Sequence, residues 1–276
     1  MNITTLIENT AGRVDLLAEW GLSILVEADG VTVLLDSGES GSLVHNASVL
    51  GIDLSSIDKI VLSHGHSDHT GGLRQLLTAM KKEVEIIAHP DIWDSKYIRR
   101  SGETTYSYIG LPFQKEELES LGASFTLTAK PVWINDRIVT TGEIPMTTGY
   151  EKIDPNLYVK RKEALHPDPL KDDMALIIKT AQGLVIVTGC AHRGIVNILR
   201  HAQKLTGVEA INMVIGGTHL VRASEEQIKL TVAELRAFDI QKLGASHCTG
   251  FPAMVRLAEE FGGIFFPNNA GTRLEV

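Results

Sequence analysis

Four metal-capable side chains fall within six positions of one short stretch, SHGHSDHTGG, at residues 63–72. They are His64, His66, Asp68 and His69. The residues before them, KIVL, indicate a buried strand and those after Gly72 indicate a helix, so the cluster is predicted to lie on a strand-to-helix loop. In an extended segment alternate side chains point the same way, so His64 and His66 are expected to bind one ion together.

Where the chain turns into the helix, Asp68 and His69 are expected to swing round and face a second ion beside the first. Neutral imidazole suits Zn²⁺, and one carboxylate adds negative charge without making the site all-oxygen. The stretch therefore predicts a site for one or two divalent ions, zinc in preference to other metals. The alternative, a polar loop that is rich in histidine by chance, explains this density of ligands poorly.

Composition limits the classes of function that this chain can serve. Its 43% hydrophobic and 22% charged residues are those of a globular protein. The net charge of −8 and the pI near 5.7 argue against a nucleic-acid partner. We expect neither a membrane span nor a secretion signal, since no apolar run reaches about 18 residues and no cationic, apolar leader is visible. A small-molecule substrate is the expected partner, and self-association stays open.

Cysteine usage bears on the compartment. The two cysteines, Cys190 and Cys248, each lie near a histidine and form no CxxC pair. Two thiols in 276 residues do not make a disulfide framework, so a reducing cytoplasm is the expected location.

Hydrophobic patterning predicts a mixed α/β chain. Strands are predicted at 3–8, 22–28, 31–36, 57–62, 84–88, near 125, near 138, and at 174–180, 184–187, 211–215 and 242–245. Helices are predicted at 42–50, 70–81 with Thr70 as N-cap, 115–121, 195–205 and 224–238, and a last helix after SHCTG ends at about 261. In the second half, strand, Gly/His loop and helix alternate, so several strand ends are expected to deliver histidines to one edge. Because no repeat and no low-complexity linker is visible, residues 1–276 are predicted to form a single domain.

The range from about 91 to 151 is the least regular part of the sequence. Several aromatic and basic residues lie there among polar ones, and an insertion of this kind beside a metal cleft is typical of a lid or substrate-selecting wall. A solvated surface excursion is the alternative. Arg99 and Arg100 are adjacent arginines, which makes them candidates for binding a substrate phosphate or carboxylate.

HGHSDH followed by TGGL resembles the HxHxDH signature of the metallo-β-lactamase superfamily. This resemblance implies a four-layer αββα sandwich with one or two metals between the sheet edges. Some members use the scaffold for diiron redox chemistry and usually carry Glu where this chain has His66. A histidine at this position is similar to the hydrolytic, zinc-type members.

The same resemblance assigns further ligands. His247, in SHCTG, resembles the final histidine that completes the second site. The loop GCAHRG stands where relatives carry Gly-Asp, so Cys190 takes the place of the usual bridging Asp, and a thiolate can ligate Zn²⁺. The third histidine of the first site is predicted to be His192, which lies in that loop, with His166 as the alternative.

Other residues are assigned to the edge of the site. Asp36 ends an apolar strand; it caps the turn or, as the resemblance implies, orients the metal loop by hydrogen bonds. The motifs LLDSG, LSHGHSDHTGGL, DDMAL, GLVIVTGCAHRGIVNI, VIGGTHL and SHCTG resemble one branch of the superfamily, which includes an archaeal enzyme of tetrahydromethanopterin synthesis. In that branch Asp172, Asp173 and His219 recur at the site edge. Read without the resemblance, the Asp pair caps a strand and His219 lies in the core.

Three functions fit these residues. The first is a zinc-dependent hydrolase of a phosphate- or carboxyl-containing small molecule, in which Asp68 is catalytic and holds a metal-activated water. The alternative is a transferase that joins a dihydropterin diphosphate to a ribofuranosyl-aminobenzene phosphate while water is excluded. A metal-binding sensor without catalysis is the third. The sequence alone does not separate the first two.

Overall fold

The computed structural model describes residues 1–100 and 102–276; Ser101, within the range predicted as a lid, lies outside the described residues. The helices are α1 (Ser42–Val49), α2 (Ser67–Thr70), α3 (Leu73–Met80), α4 (Lys115–Ser120), α5 (Ile195–Thr206), α6 (Glu225–Ala237) and α7 (Phe251–Phe261). The strands are β1 (Asn2–Ile7), β2 (Ser23–Ala28), β3 (Val31–Leu35), β4 (Lys59–Val61), β5 (Val84–Ala88), β6 (Ser95–Ile98), β7 (Ser107–Tyr108), β8 (Ala123–Leu127), β9 (Ile138–Thr140), β10 (Leu157–Arg161), β11 (Ala164–Pro167), β12 (Ala175–Thr180), β13 (Gly183–Thr188), β14 (Ile211–Gly217), β15 (Lys242–Ser246), β16 (Phe265–Pro267) and β17 (Arg273–Glu275).

The chain divides into two compact units. Unit 1 comprises Met1–Thr128, Asp154–Asp172 and Asn269–Val276, and unit 2 comprises Ala129–Ile153 and Asp173–Asn268. Within the described part of the chain, no helix is long and apolar enough to cross a membrane.

The main sheet of unit 1 has seven strands in the order β17-β1-β2-β3-β4-β5-β8. The strands β3, β4, β5 and β8 are parallel to one another, whereas β1, β2 and β17 pair antiparallel. Parallel strands are buried on both faces, which explains why VTVLL and VEIIA read as almost continuous apolar runs. The carboxyl ends of β3, β4 and β5 lie along one edge, and they lead into Asp36, the metal loop and His89.

Helix α3 buries one stripe of side chains, Leu73, Leu76, Leu77 and Met80, as its apolar spacing predicts. Its predicted start at Thr70 is wrong. Thr70 instead ends the short helix α2, and its hydroxyl donates to the backbone oxygen of His66. Gly71 and Gly72 separate α2 from α3, and both lie against the backbone of residues 37–40, where a Cβ would collide.

A second sheet of unit 1 has four strands in the order β11-β10-β6-β7, all paired antiparallel. Patterning did not predict β6, β7, β10 or β11, because strands of only two to five residues give little periodicity. The range 91–151 contains the helix α4 and the strands β6, β7, β8 and β9, and each of the three sheets in the described residues includes at least one of these strands. Its role as a lid stays a prediction.

Unit 2 has one six-stranded sheet in the order β16-β15-β14-β13-β12-β9. The predicted hairpin forms from β12 and β13, and β13, β14, β15 and β16 then run parallel. The helix α5 follows β13, α6 follows β14 and α7 follows β15. Ser224 caps α6 by accepting a hydrogen bond from the backbone of Gln227, and Glu225 and Glu226 lie in its first turn, where they complement the helix dipole.

Replacing Leu76 by alanine tests the α3 stripe. We expect Leu76→Ala to lower the free energy of unfolding by about 2–5 kcal/mol, because the leucine is fully buried and its removal leaves a cavity. Thr78→Ala, on the exposed face of the same helix, should change it by at most about 0.5 kcal/mol. Urea unfolding of both variants measures the difference, and equal values would contradict the packing described.

Candidate metal centre

The loop after β4 places its histidines in a buried cluster within unit 1. His64 and His69 are inaccessible to solvent and His66 is 5% exposed. The Nε2 atom of His64 lies 2.9 Å from the Nδ1 atom of His66, and the rings of His64 and His69 have centroids 4.2 Å apart. Two imidazole nitrogens at this separation converge as ligands of a single ion do, since Zn–N bonds measure about 2.0–2.1 Å.

Asp36 lies beneath this loop and holds it through three hydrogen bonds. Its Oδ1 atom accepts from the backbone N–H of Ser63 at 2.7 Å, and its Oδ2 atom accepts from the Ser63 hydroxyl at 2.7 Å. The same Oδ2 lies 2.7 Å from Nδ1 of His69. A carboxylate at Nδ1 fixes the tautomer with the proton on that nitrogen, which directs Nε2 of His69 as the ligand atom.

Asp68 is more accessible to solvent than Asp36. Its side chain is 17% exposed, and its Oδ2 lies 3.8 Å from Nε2 of His69. Unit 1 thus brings together all four residues that the sequence singled out on this loop. Together they offer three imidazoles and one carboxylate.

Unit 2 gathers its candidate ligands at the carboxyl ends of three adjacent parallel strands. Cys190 and His192 follow β13, His219 follows β14, and His247 with Cys248 follows β15. The ligand atoms of Cys190, His192 and His219 all lie within 4.8 Å of one another. Those of Cys190, His247 and Cys248 do so as well.

The two thiols of unit 2 lie side by side. Cys248 is buried, and its Sγ donates to the backbone oxygen of Cys190 at 3.3 Å. Burial alone raises the pKa of the Cys248 thiol, but hydrogen bonds with Cys190 and His219 and the nearby His247 lower it well below its usual value. Sequence reasoning did not include Cys248 among the site residues, although its position next to His247 at a strand end was a usable signal.

Strained backbone marks several of these strand ends. Asp36, Ala191, His219 and His247 adopt left-handed φ angles of 61°, 59°, 50° and 53°. Such angles are uncommon outside glycine and persist where the surroundings determine the conformation. Each of these residues either carries a candidate functional side chain or separates two such residues.

Asp173 holds the loop of unit 2 that carries Cys190 and His192, which we call the second metal loop. It is fully buried, and its Oδ2 accepts from the backbone N–H of Arg193, next to His192. In unit 1 the neighbouring Asp172 accepts in the same way from the backbone N–H of Gly65 at 2.8 Å. The Asp pair therefore braces two loops, which is more specific than capping a strand.

Three other candidates lie in unit 1 on or next to the four-stranded sheet, since His166 is on β11 and the two arginines directly follow β6. His166 is exposed on β11, where it pairs with Val159. Arg99 is exposed, and its guanidinium donates to the hydroxyls of Tyr106 and Tyr158 at 3.4 and 3.1 Å. Arg100 is also exposed and donates to the hydroxyl of Ser107 at 3.2 Å.

The chemistry of both donor sets fits a divalent transition metal. Neutral imidazole, thiolate and a single carboxylate are the ligands that Zn²⁺ takes, whereas Mg²⁺ and Ca²⁺ require mostly oxygen. The hydrogen bond between His69 and Asp36 matches the outer partner that a metal-bound histidine needs.

Comparison with known proteins gives the family. The family model for the metallo-beta-lactamase superfamily matches residues 21–158. The chain belongs to this superfamily. An enzyme of Methanocaldococcus jannaschii, 7,8-dihydropterin-6-methyl-4-(beta-D-ribofuranosyl)-aminobenzene-5'-phosphate synthase, is 35% identical over 98% of this chain and 95% of its own.

Solved structures of the same superfamily have the same fold as this chain. The crystal structure of Tm1679, a metal-dependent hydrolase of the beta-lactamase superfamily, is 28% identical with a TM-score of 0.87, covering 100% of this chain and 99% of its own. Zn²⁺-bound PqqB from Methylobacterium extorquens covers 100% of both chains at 12% identity with a TM-score of 0.59, a likeness of fold. The predicted superfamily and the predicted metallo-β-lactamase fold are confirmed.

Asp36→Asn should weaken metal binding about 10–100-fold, the usual cost of losing the outer partner of a metal-binding histidine. An amide offers one acceptor oxygen, so it cannot hold both Ser63 and His69 as the carboxylate does. Competition with a chromophoric chelator measures the affinity. Asp58→Asn is the control, since Asp58 is exposed and its carboxylate accepts a hydrogen bond from the backbone N–H of Thr32, away from the metal loop. Equal affinities in both variants would contradict the role of Asp36.

Substituting two histidines tests the third ligand. His192→Ala should lose tightly bound metal, because His192 is 4% exposed and lies close to Cys190 and His219. His166→Ala should keep it, because His166 is exposed on an edge strand. Elemental analysis after identical zinc loading compares the two variants. If His166→Ala loses metal while His192→Ala retains it, the assignment of His192 is wrong.

Proposed function

We propose that this chain is a metal-dependent transferase that joins a dihydropterin carrying a diphosphate to a ribofuranosyl-aminobenzene phosphate. The observation that carries the proposal is the 35% identity to the archaeal synthase over 98% of this chain. Both metal loops, the Asp pair and the four-stranded sheet fall within that span. A relative of this coverage supports a shared reaction more strongly than a short motif does.

We further propose that the donor sets of the two units hold Zn²⁺, one or two ions per chain. The set in unit 1 is His64, His66, Asp68 and His69. The set in unit 2 is Cys190, His192, His219, His247 and Cys248. Since the two cysteines are buried and form no disulfide, we also propose that the protein works in a reducing compartment such as the cytoplasm.

When bound, a divalent ion would supply positive charge to anionic oxygens of the substrate and lower the pKa of water. In the proposed reaction the arylamine nitrogen forms a bond to the methylene carbon on the pterin. The carbon–oxygen bond to the diphosphate breaks, the diphosphate leaves with the electron pair, and the nitrogen loses a proton. Asp68 is proposed to accept that proton, because its carboxylate is partly exposed while His64 and His69 are buried.

Arg99 and Arg100 are proposed to bind the substrate phosphate, since guanidinium groups match phosphate oxygens. The centre of the Arg99 guanidinium lies 5.5 Å from the ring centroids of Tyr106 and of Tyr158. Tyr108, half exposed on β7, adds a further ring to this sheet. Exposed rings beside an arginine suit a substrate that is both aromatic and phosphorylated.

Hydrolysis of a phosphate- or carboxyl-containing small molecule is the second candidate. The likeness to Tm1679, a metal-dependent hydrolase, at 28% identity over the whole chain favours it. In that reaction Asp68 would hold the attacking water instead of accepting an amine proton.

One assay separates the two candidates. Zinc-loaded protein is incubated with the dihydropterin diphosphate, with and without the arylamine phosphate, and the products are identified by mass spectrometry. We expect coupled product and diphosphate in equal amounts only when the arylamine is present. Protein from which metal has been removed by a chelator should form no product until zinc is restored.

Other outcomes assign the function differently. Diphosphate and a hydroxymethyl pterin, formed at the same rate with and without the arylamine, would overturn transfer in favour of hydrolysis. The same preparation tested with a generic phosphodiester and phosphomonoester then defines the class of bond cleaved. Metal binding without turnover of any of these compounds would favour the sensor.

A further inference from the structure

The largest buried charged group of unit 1 lies outside the donor set. Lys96, on β6, is 1% exposed, and its ammonium donates to Oδ1 of Asp172 at 2.9 Å and to Oδ2 of Asp168 at 3.0 Å. Both aspartates are themselves buried. A buried charge is retained only with well-made partners, and this ammonium has two.

The second oxygen of Asp172 reaches the metal loop. Its Oδ2 accepts from the backbone N–H of Gly65 at 2.8 Å, and Gly65 separates His64 from His66. One carboxylate therefore joins the Lys96 ammonium to the peptide unit that sets the angle between the two imidazoles. Asp168 binds the same ammonium, but its other oxygen accepts from the backbone of Leu170, away from the loop.

The backbone of Lys96 makes a second connection to the same loop. Its carbonyl oxygen accepts from the N–H of Ile109 at 3.0 Å, and the Ile109 carbonyl accepts from the N–H of Ser67 at 2.8 Å. His66 itself forms an antiparallel bridge with Gly110. Lys96 is thus connected to both neighbours of His66. Its side chain reaches Gly65 through Asp172, and its backbone reaches Ser67 through Ile109.

Gly65 permits this close approach. A Cβ added there would lie 2.6 Å from the backbone oxygen of Ile92 and 3.1 Å from Cε of Lys96. No side chain fits between the loop and the lysine, so the peptide lies directly against it.

Electrostatics keeps the lysine charged. Burial lowers the pKa of Lys96, but the charges of Asp172 and Asp168 and their hydrogen bonds outweigh burial, so the pKa is raised overall. Burial, for its part, raises the pKa of Asp168. Two carboxylates face one ammonium, and the excess negative charge lies beside a loop proposed to bind a cation.

We infer that Lys96 and Asp172 are positioning residues that fix the geometry of His64 and His66 and thereby set the metal affinity of the loop. The inference rests on the proposed function only in that the loop holds a metal. The inference adds that Lys96, which lies on the four-stranded sheet and outside the HGHSDH signature, determines how the histidines of the signature are oriented.

The experiment compares two isosteric variants, Asp172→Asn and Asp168→Asn. Each substitution neutralises one of the two carboxylates that accept from the Lys96 ammonium. Of these two aspartates, only Asp172 also binds the metal loop, through Gly65. An amide has one acceptor oxygen, so the substituted side chain in Asp172→Asn could serve either Gly65 or Lys96 but not both. Chelator competition with Zn²⁺ and the d–d absorption of bound Co²⁺ measure metal affinity and geometry, and urea unfolding measures stability.

We expect Asp172→Asn to weaken the affinity for at least one metal equivalent about 10–100-fold and to shift the Co²⁺ spectrum. Asp168→Asn should leave affinity and spectrum as in the unsubstituted protein, even if it lowers stability as much. Equal changes of affinity in both variants would show a general charge effect and overturn the inference. No change in Asp172→Asn would overturn it as well.

A second variant covers the case in which Asp172→Asn does not fold. Lys96→Gln leaves Asp172 on Gly65 but removes the ammonium that holds its other oxygen, and it should weaken metal affinity in the same direction. Unchanged affinity in Lys96→Gln would then contradict the inference. If the variants show these changes of affinity but the unsubstituted protein forms no coupled product, only the proposed transferase activity is wrong. If the unsubstituted protein binds no metal, both proposals are overturned.

Discussion

Asp36 satisfies three donors of the metal loop at once, and the arrangement of unit 1 depends on it. A buried carboxylate is costly unless hydrogen bonds replace its hydration, and here the backbone and hydroxyl of Ser63 and the ring of His69 do so. The carboxylate in turn determines which nitrogen of His69 carries the proton. Its left-handed backbone turns the chain directly after β3, so that the side chain lies under the end of the neighbouring strand β4.

The parallel strands explain why ligands from distant parts of the sequence meet. In each unit, adjacent parallel strands end along one edge, and every strand contributes the first residues of its loop there. Unit 2 uses the ends of β13, β14 and β15 for Cys190, His219 and His247. The core beneath these loops consists of apolar strands and amphipathic helices, which hold the loop bases rigidly while the left-handed residues redirect the chain.

Local patterning predicted the elements whose burial is regular. The helix α5 and the hairpin of β12 and β13 match their predicted ranges to within one or two residues, because their apolar positions repeat over many residues. The signature HGHSDH likewise picked out the candidate ligands that cluster in unit 1, since residues close in sequence need no long-range information to be brought together. The strands β10 and β11 are only five and four residues long and gave no such signal.

Lys96 could not be predicted from the sequence, because its role depends on contacts with residues 72 and 76 positions away. A single lysine in SKYI is indistinguishable from a surface lysine until those partners are known. Asp172 was placed at the site edge by the resemblance alone, and its contacts with Gly65 and Lys96 were not predictable from its sequence neighbours. Residues that bind directly can be recognised by type and spacing, whereas residues that position them are defined by tertiary contacts.

In the function that we propose, the four-stranded sheet of unit 1 contributes both to substrate binding and to the geometry of the metal loop. The donor set itself does not distinguish transfer from hydrolysis, because a leaving diphosphate and a phosphoester both present anionic oxygens. Selectivity must therefore come from side chains outside the metal loops. Tyr108 lies over Gly110, whose backbone is paired with the proposed metal ligand His66. A substrate ring stacked on this sheet would therefore contact residues next to the backbone partner of His66. In the transferase that we propose, binding of the aromatic partner and alignment of the metal loop are thus linked through the same strands.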